Sequence, residues 1–475
     1  MKKNLLILNA RQRNRALPSW KLLSASALAF SLAFSSCKKT VGDGNELTNN
    51  AEIGNNVDAI GAASSGKIGI NVLLKTAATD KILKELNTYG TVIDVVPAIN
   101  ALTMRVSGSS LALIKGLSFV SDANPDADRN GSPIDAVAVS DFTNGLSTWN
   151  LDAVNVTDSG KGRTVAQDGT GVYVGILDTG LPDSWRQYFP QERIATQYAT
   201  SFSGGGGDNG NVSEQPNKWE HDQNSHGGHV TSTIIGFQLG ATYFNGVAPK
   251  ATIIPVKVLN QNGSGHSSVV ARGIMYMAEL KAGPLSKSPV VINMSLGGSA
   301  LDAMEKAAID YAISKGVIIV ASAGNSGTQG MGYPGAYAPV ISVASAGWKA
   351  QGSTPSWWYA LNVPDPTNVD DFFISTFSSR QKPGQDLDVT APGENIVGPY
   401  QVNSGQLSYY FLSGTSMASP HVAGIVALMA QKKSSLTASE AENTLESAAI
   451  SMPVWGTDAS GKGFITADAA LAGVQ

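Results

Sequence analysis

Apolar runs of strand length alternate with helical stretches from residue 149 onward, and this alternation limits the possible folds more than any other feature. Strand-like runs lie at residues 172–177, 253–259, 290–294, 317–321, 340–343 and 387–389. Helical patterns lie at residues 226–236, 269–280, 304–314 and 416–431. Continuous apolar strands separated by helices predict a parallel sheet covered by helices on both faces. In such an α/β fold, functional side chains are expected where strands end and helices begin.

A smaller pattern precedes this one, at residues 67–126. Strands are predicted at residues 68–74, 92–96, 101–106 and 119–121, and helices at residues 80–89 and 110–116. The order strand, helix, strand, strand, helix, strand predicts a small ferredoxin-like α+β domain. This order identifies no function by itself.

The first residues have the pattern of a secretion signal. Residues 1–21 are basic without an acid, residues 22–34 are apolar, and small residues precede Cys37. This order is typical of a signal peptide, and a signal that ends at a lone cysteine resembles the bacterial lipoprotein type. Ordinary cleavage nearby, with Cys37 as an incidental thiol, is the alternative. The predicted domains are therefore a signal peptide at 1–37, a polar tether at 38–66, the small domain at 67–126, a linker with a processing site at 127–148 and the large domain at 149–475.

Composition excludes several classes of function. The 475 residues carry a formal charge of −4, which is not the signature of a nucleic-acid-binding protein. The single cysteine excludes an intramolecular disulfide and a cysteine-based metal site. Chemistry that depends on histidine must use one of five side chains, which are His221, His226, His229, His266 and His421.

Two segments present an acid and a base. GVYVGILDTG (171–180) is a buried strand that ends at Asp178, although an Asp before Thr-Gly is also a common turn former. NSHGGHV (224–230) opens an apolar helix at His226, and Ser225 is predicted to cap that helix. Two histidines three apart suggest a metal, but the glutamate of a zinc protease is absent, so His229 is interpreted as a packed neighbour. His221 and His266 lie in polar loops and are expected to be solvated.

Two further segments present a nucleophile and an amide. GTSMASPHVAG (414–424) places Ser416 at the start of a helix that is apolar on every face, among unpaired backbone N–H groups. Pro420 removes the N–H that would bond the Ser416 carbonyl. ASAGNSG (321–327) presents Asn325 at a strand end, where an asparagine in a plain turn is the alternative.

The chain order Asp, His, Ser in these motifs resembles that of the subtilisin-like serine proteases, the subtilase family. The resemblance covers roughly residues 149–471. It implies that Asp178, His226 and Ser416 are the catalytic triad and that Asn325 belongs to the oxyanion hole. INMSLGG (292–298) is similar to the family segment that pairs with extended substrate. The implied substrate-binding residues are Ser295, Leu296, Gly297, Gly298 and Gly332.

The resemblance also implies an activity, a set of partners and a location. The protein is expected to be a serine endopeptidase, made as a precursor, that processes itself and prefers large apolar residues before the cut. Residues 67–126 would be a propeptide that acts as an intramolecular chaperone and inhibitor, with its tail in the active site until it is cut. The other expected partners are protein or peptide substrates, with no nucleic acid, and with membrane contact only through lipid on Cys37. A monomer is expected, outside the cytoplasm, with the precursor anchored in the cell envelope and the mature domain released.

Some features depart from the family pattern. The chemistry is expected to need no cofactor. A structural calcium ion is compatible with the sequence. However, residues 237–245 do not match the usual calcium loop, and no calcium ligands are assigned. Residues 203–222 and 348–373 are longer than the family core, and the aromatics of the second segment are expected to pack on the surface. Two other classes of function are considered. One is a catalytically silent scaffold lipoprotein, and the other is an inhibitor or chaperone that works through the small domain.

Overall fold

The computed structural model of the protein describes residues 66–138, 148–157, 162–240, 242–353, 368–401 and 407–475. The predicted signal peptide and Cys37 lie outside these residues, as does the tether except for its last residue. Gly61–Gln475 form one compact unit. In the described part of the chain, no helix has the length and apolar character to cross a membrane.

The N-terminal domain is a four-stranded antiparallel sheet with two helices. Its elements are β1 (Lys67–Leu74), α1 (Asp80–Leu86), β2 (Gly90–Val96), β3 (Ala101–Ser107), α2 (Ser110–Lys115) and β4 (Val120–Pro125). The strand order β2-β3-β1-β4 confirms the predicted ferredoxin-like arrangement. The first helix is shorter than predicted, because Asn87 turns the chain by donating to the Leu83 carbonyl and accepting from Val92.

Two short strands follow, β5 (Asp128–Asn130) and β6 (Asp135–Ala138), and both pair with the large domain. The elements that continue from there, in chain order, are α3 (Trp149–Ala153), β7 (Tyr173–Asp178), β8 (Thr200–Ser201), α4 (His226–Ile235), β9 (Gly236–Leu239), β10 (Thr242–Asn245), β11 (Thr252–Lys257), β12 (Ser264–His266), α5 (Ser267–Ala282), β13 (Val290–Met294), α6 (Ala303–Ser314), β14 (Val317–Ser322), β15 (Ile341–Trp348), β16 (Phe372–Ile374), β17 (Val389–Pro392), β18 (Ile396–Gln401), β19 (Leu407–Ser413), α7 (Thr415–Lys432), α8 (Ala438–Ala448), α9 (Thr457–Ser460) and α10 (Ala467–Gly473).

The large domain is organised around an eight-stranded sheet. Its order is β16-β15-β14-β13-β7-β11-β8, and β17 pairs with β15 in addition. All of these pairings are parallel except β15 with β16. The predicted parallel α/β sheet is therefore confirmed. The strand predicted at residues 387–389 begins two residues later, at Val389.

Helix α7 runs through the core of the large domain. Every residue from Thr415 to Ala430 is buried, as the apolar character of all its faces predicted. It packs against β13, β14 and β15 and against α4. The buried helix fixes Ser416 near the carboxyl ends of β7, β13 and β14, where the parallel strands deliver their last side chains.

The two long segments lie differently from expectation. Asp208, in the first segment, accepts a hydrogen bond from the Gly69 backbone, so this segment contacts the N-terminal domain. In the second segment, the prediction of surface packing is wrong for Phe372, which is buried and stacks on Phe464 with ring centroids 4.7 Å apart. Trp357 and Trp358 lie outside the described residues.

Candidate active site

The Asp178 and His226 side chains are in direct contact and fully buried. Asp178 ends β7, and its carboxylate accepts from Nδ1 of His226, at 2.8 Å through Oδ1 and 3.0 Å through Oδ2. The Thr179 backbone N–H donates to the same Oδ1 at 2.7 Å, which fixes the carboxylate. An Nδ1 proton held in this way leaves Nε2 of His226 as the acceptor of a neutral imidazole.

The turn before His226 is built differently from the sequence prediction. Ser225 does not cap α4: its backbone is left-handed, with φ of 69°, and its hydroxyl has no hydrogen-bond partner. The Asn224 side chain instead accepts from the His226 backbone N–H at 3.2 Å. Glycine is required at Gly227, since a Cβ there would lie 2.4 Å from the carbonyl oxygen of Gly180. This close approach brings the start of α4 against the end of β7.

Ser416 lies in the first turn of α7 and is 3% exposed. Pro420 leaves the Ser416 carbonyl without its helical donor, and the Ser295 hydroxyl donates to that carbonyl at 2.7 Å instead. The Ser416 hydroxyl donates to the Ser295 carbonyl at 3.2 Å, and Nε2 of His226 has no hydrogen-bond partner. The structure thus joins Asp178 to His226, and Ser416 to Ser295, without a hydrogen bond between the histidine and the serine.

Asn325 follows β14 and is oriented by Thr415. Its Oδ1 accepts from the Thr415 backbone N–H and from the Thr415 hydroxyl, both at 2.9 Å. The same amide has its Nδ2 beside Gly414, 3.5 Å from the position that a Cβ would take there. Holding the oxygen in this way leaves the N–H₂ group as the free end of the side chain, next to the start of α7.

The other histidines are occupied elsewhere. His229 bonds the Ile396 carbonyl through Nε2 at 2.9 Å, and burial lowers its pKa to about 3. His421 accepts from Asn150 and bonds the Met417 carbonyl, and burial lowers its pKa to about 4. His221 is exposed beside Asp183, as predicted. The prediction that His266 is solvated is wrong, since its side chain is only 15% exposed, between Asp128 and Asp208.

A strand of the chain itself lies across these groups. β5 pairs antiparallel with β12, and Asn130 exchanges two backbone hydrogen bonds with Gly297, of 3.0 and 2.9 Å. A Cβ at Gly131 would be 3.5 Å from the His226 ring. The Ile134 backbone N–H then bonds the Ser413 carbonyl at 2.7 Å. Residues 128–134 therefore cross the cleft, paired with β12 on one side and with Gly297 on the other. We call these residues the cleft strand.

The other predicted substrate-binding residues surround this strand unevenly. Gly297 pairs with Asn130 of this strand. Gly298 lies against Asp128 and Arg129 of the strand, and its backbone pairs with Tyr333 by bonds of 2.8 and 2.7 Å. A Cβ at Gly297 would be 3.9 Å from Gly332, so the two glycines lie side by side. Leu296 packs its side chain into the core of the large domain. Ser295 lies beside Ser416 and is joined to it by two hydrogen bonds.

One group of carboxylates in the described part of the chain has the geometry to hold a metal ion. Asp386, Asp388 and Glu442 each bring one oxygen within 4.8 Å of the others. None of them belongs to the cleft. Burial is the main cause that raises the pKa of both Asp388 and Glu442 to about 7. Residues 237–245, whose sequence does not match the usual calcium loop, include β10 and most of β9.

Comparison with known proteins agrees with this geometry. The model of the subtilase family matches residues 169–470. Subtilisin DY from Bacillus licheniformis is 34% identical over 306 residues, 64% of this chain and 91% of that protein. A thermostable alkaline protease from Halalkalibacterium halodurans is 32% identical over 289 residues, 61% of this chain and 64% of that protein. Fervidolysin from Fervidobacterium pennivorans, a keratinolytic enzyme related to subtilisin, has a TM-score of 0.61 at 25% identity over 86% of this chain. The match spans 61% of the fervidolysin chain.

Fold and family together define a serine-type peptidase. The chain belongs to the subtilase family.

Sequence reasoning missed the role of Thr415 in orienting Asn325, and it did not give the residues of the small domain's tail that lie in the cleft. Backbone hydrogen bonds hold Asn130 and Ile134 of the cleft strand, and such bonds leave no side-chain pattern to read. The available signal was the turn-forming run NGSP (130–133) directly after the small domain.

Proposed function

We propose that the protein is an endopeptidase that cuts peptide bonds through an acyl-enzyme on Ser416. His226 takes the Ser416 proton as the hydroxyl attacks the substrate carbonyl, and Asp178 stabilises the imidazolium. The oxyanion accepts hydrogen bonds from Asn325 Nδ2 and from the Ser416 backbone N–H. His226 then protonates the leaving amine, and water hydrolyses the ester with the same base. The buried Asp178–His226 contact, at 2.8 Å, is the observation that carries this proposal.

The mechanism requires one local movement. The Ser416 hydroxyl donates to the Ser295 carbonyl, and it must exchange this acceptor for Nε2 of His226, which has no other partner. Since Nδ1 is already committed to Asp178, the imidazole has the tautomer that accepts this proton.

The decisive experiment is a Ser416→Ala variant of the full chain, together with an active-site serine probe. The variant should not be labelled by the probe. Its turnover of a denatured protein substrate should fall by about a millionfold, on the precedent of subtilisin. Ser435→Ala, at an exposed serine three residues after α7, is the matched control and should retain both. Labelling of neither the wild type nor the control would favour a catalytically silent scaffold.

A second part of the proposal concerns the precursor. The N-terminal domain would act as an inhibitor of its own enzyme, because the chain that leaves it enters the cleft as the cleft strand. Occupation of the cleft by Asn130 and Gly131, beside Gly297 and His226, supports this idea. A time course of the folded full chain should show activity rising as the N-terminal domain is lost. Full activity from an intact chain of 475 residues would contradict it.

The primary specificity is proposed to favour a large apolar residue before the cut. The segments 295–298 and 323–326 and Gly332 carry no charge, so nothing among them would pair with a buried Lys or Arg. The adjacent Gly297 and Gly332 have no side chains, which leaves room for a large group. Burying a Phe or Leu there is worth roughly 1.5–3 kcal/mol. A peptide library with a dominant preference for Lys or Arg directly before the cut would overturn this.

The location is proposed from the first residues of the sequence alone. Export by the signal peptide, followed by lipidation of Cys37, would anchor the precursor in the cell envelope until processing releases the mature domain. Cys37→Ser should then move the precursor into the soluble fraction and abolish incorporation of labelled lipid. Equal membrane association of both forms would show that the cysteine is incidental.

A further inference from the structure

Arg129 is the side chain of the cleft strand that is most deeply held by the large domain. It lies on β5 and its side chain has no exposure to solvent. Its guanidinium donates to both oxygens of Glu305, from Nε at 3.0 Å and from Nη2 at 2.5 Å. Nη2 also donates to the Ala300 carbonyl at 3.1 Å, and Nη1 donates to the Asp128 carbonyl at 2.8 Å. Four of the five guanidinium N–H groups therefore donate hydrogen bonds.

The pocket that holds this side chain belongs to the large domain. Glu305 lies in the first turn of α6, whose N-cap is Asp302, and both acids are fully buried. In the described part of the chain, Arg129 is the one cation that bonds the Glu305 carboxylate. A Cβ on Gly298 would approach Nη1 of Arg129 to 2.8 Å, so the neighbouring glycine also makes room for the guanidinium.

The position of Arg129 relative to the catalytic groups follows from the path of the strand. Gly131 lies beside the His226 ring, and Pro133 lies beside Gly414, where a Cβ would be 3.8 Å from the Pro133 Cα and 3.7 Å from the Ser416 nitrogen. Ser132 is thus the residue whose carbonyl group is delivered to Ser416. Arg129 is three residues earlier, which is the fourth position before the cut in a substrate bound along the same path.

Removal of the cleft strand would leave the pocket incomplete. Glu305 would lose its counter-ion, and α6 would also lose its cover from β1 and β4 of the departing domain, so the carboxylate would be open to a new cation. A substrate that supplies a new cation restores the pair. Arginine suits this pocket better than lysine, because its planar fork donates to both carboxylate oxygens and to the Ala300 carbonyl at once.

We infer that Glu305 is a specificity-determining residue that selects substrates with arginine at the fourth position before the cut. This inference rests on the proposed endopeptidase function and adds to it a second pocket, distinct from the uncharged one next to the scissile bond. The cleft strand fills the arginine pocket in the precursor, and a polypeptide substrate fills it in the active enzyme.

The test uses protein recovered after the full chain has folded and processed itself. Fluorogenic peptides share one apolar residue before the cut and carry Arg, Lys, Leu or Ala at the fourth position. The ratio of kcat/KM for the Arg peptide to that for the Ala peptide should be about 10 to 100, as a bidentate charged hydrogen bond provides. In Glu305→Gln this ratio should fall towards 1. Asp310→Asn, which removes an exposed carboxylate from the same helix, should keep the wild-type ratio.

Breaking a buried pair endangers folding, so a second variant replaces both partners with apolar residues. In Arg129→Leu/Glu305→Leu the pocket holds no unpaired charge, and the preference should change from Arg to Leu. An active wild-type enzyme with no Arg preference, or a Glu305→Gln variant that keeps the preference, would overturn the inference and show that the pair merely fastens the N-terminal domain. Absence of both serine labelling and protein hydrolysis would instead refute the proposed function, and the inference with it.

Discussion

The side chains of the proposed catalytic site are fixed by their neighbours before any substrate arrives. Asp178 is held by the Thr179 N–H, His226 by Asp178, and Asn325 by two bonds from Thr415. His226 is bonded through Nδ1 and Asn325 through Oδ1, which leaves Nε2 of the histidine and the N–H₂ group of the asparagine free to face the cleft. Preorganisation of this kind lowers the barrier because no dipole has to turn during the reaction.

Replacing the amide of Asn325 tests this arrangement. Asn325→Ala should lower kcat by about 100- to 1,000-fold with little change in KM, on the precedent of the equivalent donor in subtilisin. Thr415→Val removes one of the two bonds that orient the amide, and it should cause a smaller loss. Steady-state kinetics on one peptide substrate would measure both. Unchanged turnover in a folded Asn325→Ala protein would remove this residue from the oxyanion hole.

Sequence reasoning was most successful at single residues with an unusual local pattern. Pro420 in an apolar helix indicated a freed carbonyl at Ser416, and the structure fills that vacancy with the Ser295 hydroxyl. It was wrong for Ser225, which resembles a helix cap in sequence but adopts a left-handed backbone. It was also wrong for His266, because contacts with Asp128 and Asp208 come from distant parts of the chain. Local chemistry was predictable, and long-range neighbours were not.

At the scale of elements, Asp388 connects two parallel strands and a helix. It precedes β17 and is fully buried, and its Oδ2 accepts from the backbone and hydroxyl of Ser342 on β15, at 2.6 and 2.9 Å. Its Oδ1 has no hydrogen-bond partner. Burial raises its pKa to about 7, with the acids Glu442 and Asp386 adding to this effect. The folded protein therefore keeps a proton that the unfolded chain releases near pH 4.

This difference predicts how stability depends on pH. Between about pH 4 and pH 7 the unfolded chain loses the Asp388 proton while the folded protein retains it, so the contribution of Asp388 to stability falls as the pH rises. The full change is on the order of 4 kcal/mol. Asp388→Asn cannot ionise and still accepts from Ser342. Made in the Ser416→Ala background, it should raise the urea midpoint at pH 8 and leave it nearly unchanged at pH 4.5.

The control for this experiment is Asp468→Asn, at an exposed acid of α10. It should not alter the difference between the two pH values. A wild-type midpoint that does not fall between pH 4.5 and pH 8, or that falls equally in Asp388→Asn, would show that this carboxyl is ionised throughout.

For the elements themselves, the apolar runs predicted the parallel strands to within a few residues, because burial on both faces of a sheet requires such runs. The ends were less accurate. Val389 starts its strand late because Asp388 is held by Ser342, and β15 continues to Trp348, which stacks on Trp149. These boundaries depend on a hydrogen-bond partner 46 residues away and on a ring contact, neither of which has a local sequence pattern.

At the scale of the whole molecule, the order of the two domains was predictable, and the family resemblance placed the tail of the small domain in the active site, but the residues that cross the cleft were not predicted. Residues 127–148 were expected to be a polar linker with a processing site. The described part of this segment instead adds two short strands to the large domain and crosses the cleft. The signal for this route is the pairing of backbone groups, which almost any sequence provides.

The route has a consequence for processing. The cleft strand passes from Gly131, beside the His226 ring, to Pro133, beside Gly414, and we expect the Ser132–Pro133 bond to face Ser416. In the proposed mechanism, His226 must pass its proton to the nitrogen of Pro133. That nitrogen carries a ring carbon in place of a hydrogen, and the ring carbon crowds the atom that receives the proton. Loss of effective proton transfer slows cleavage by at least about 100-fold. We therefore expect the wild-type chain to be cut at another bond of the linker, and Pro133→Ala to be cut directly after Ser132.

N-terminal sequencing and intact mass of the two processed proteins measure this difference. The Pro133→Ala chain should yield a product that begins at residue 133 and should mature faster than the wild type. Pro133→Ala combined with Ser416→Ala is the control, and it should stay whole, since the cut must come from the protein's own serine. A wild-type product that begins at Pro133 would contradict the argument, because it would mean that the prolyl nitrogen accepts its proton in this cleft.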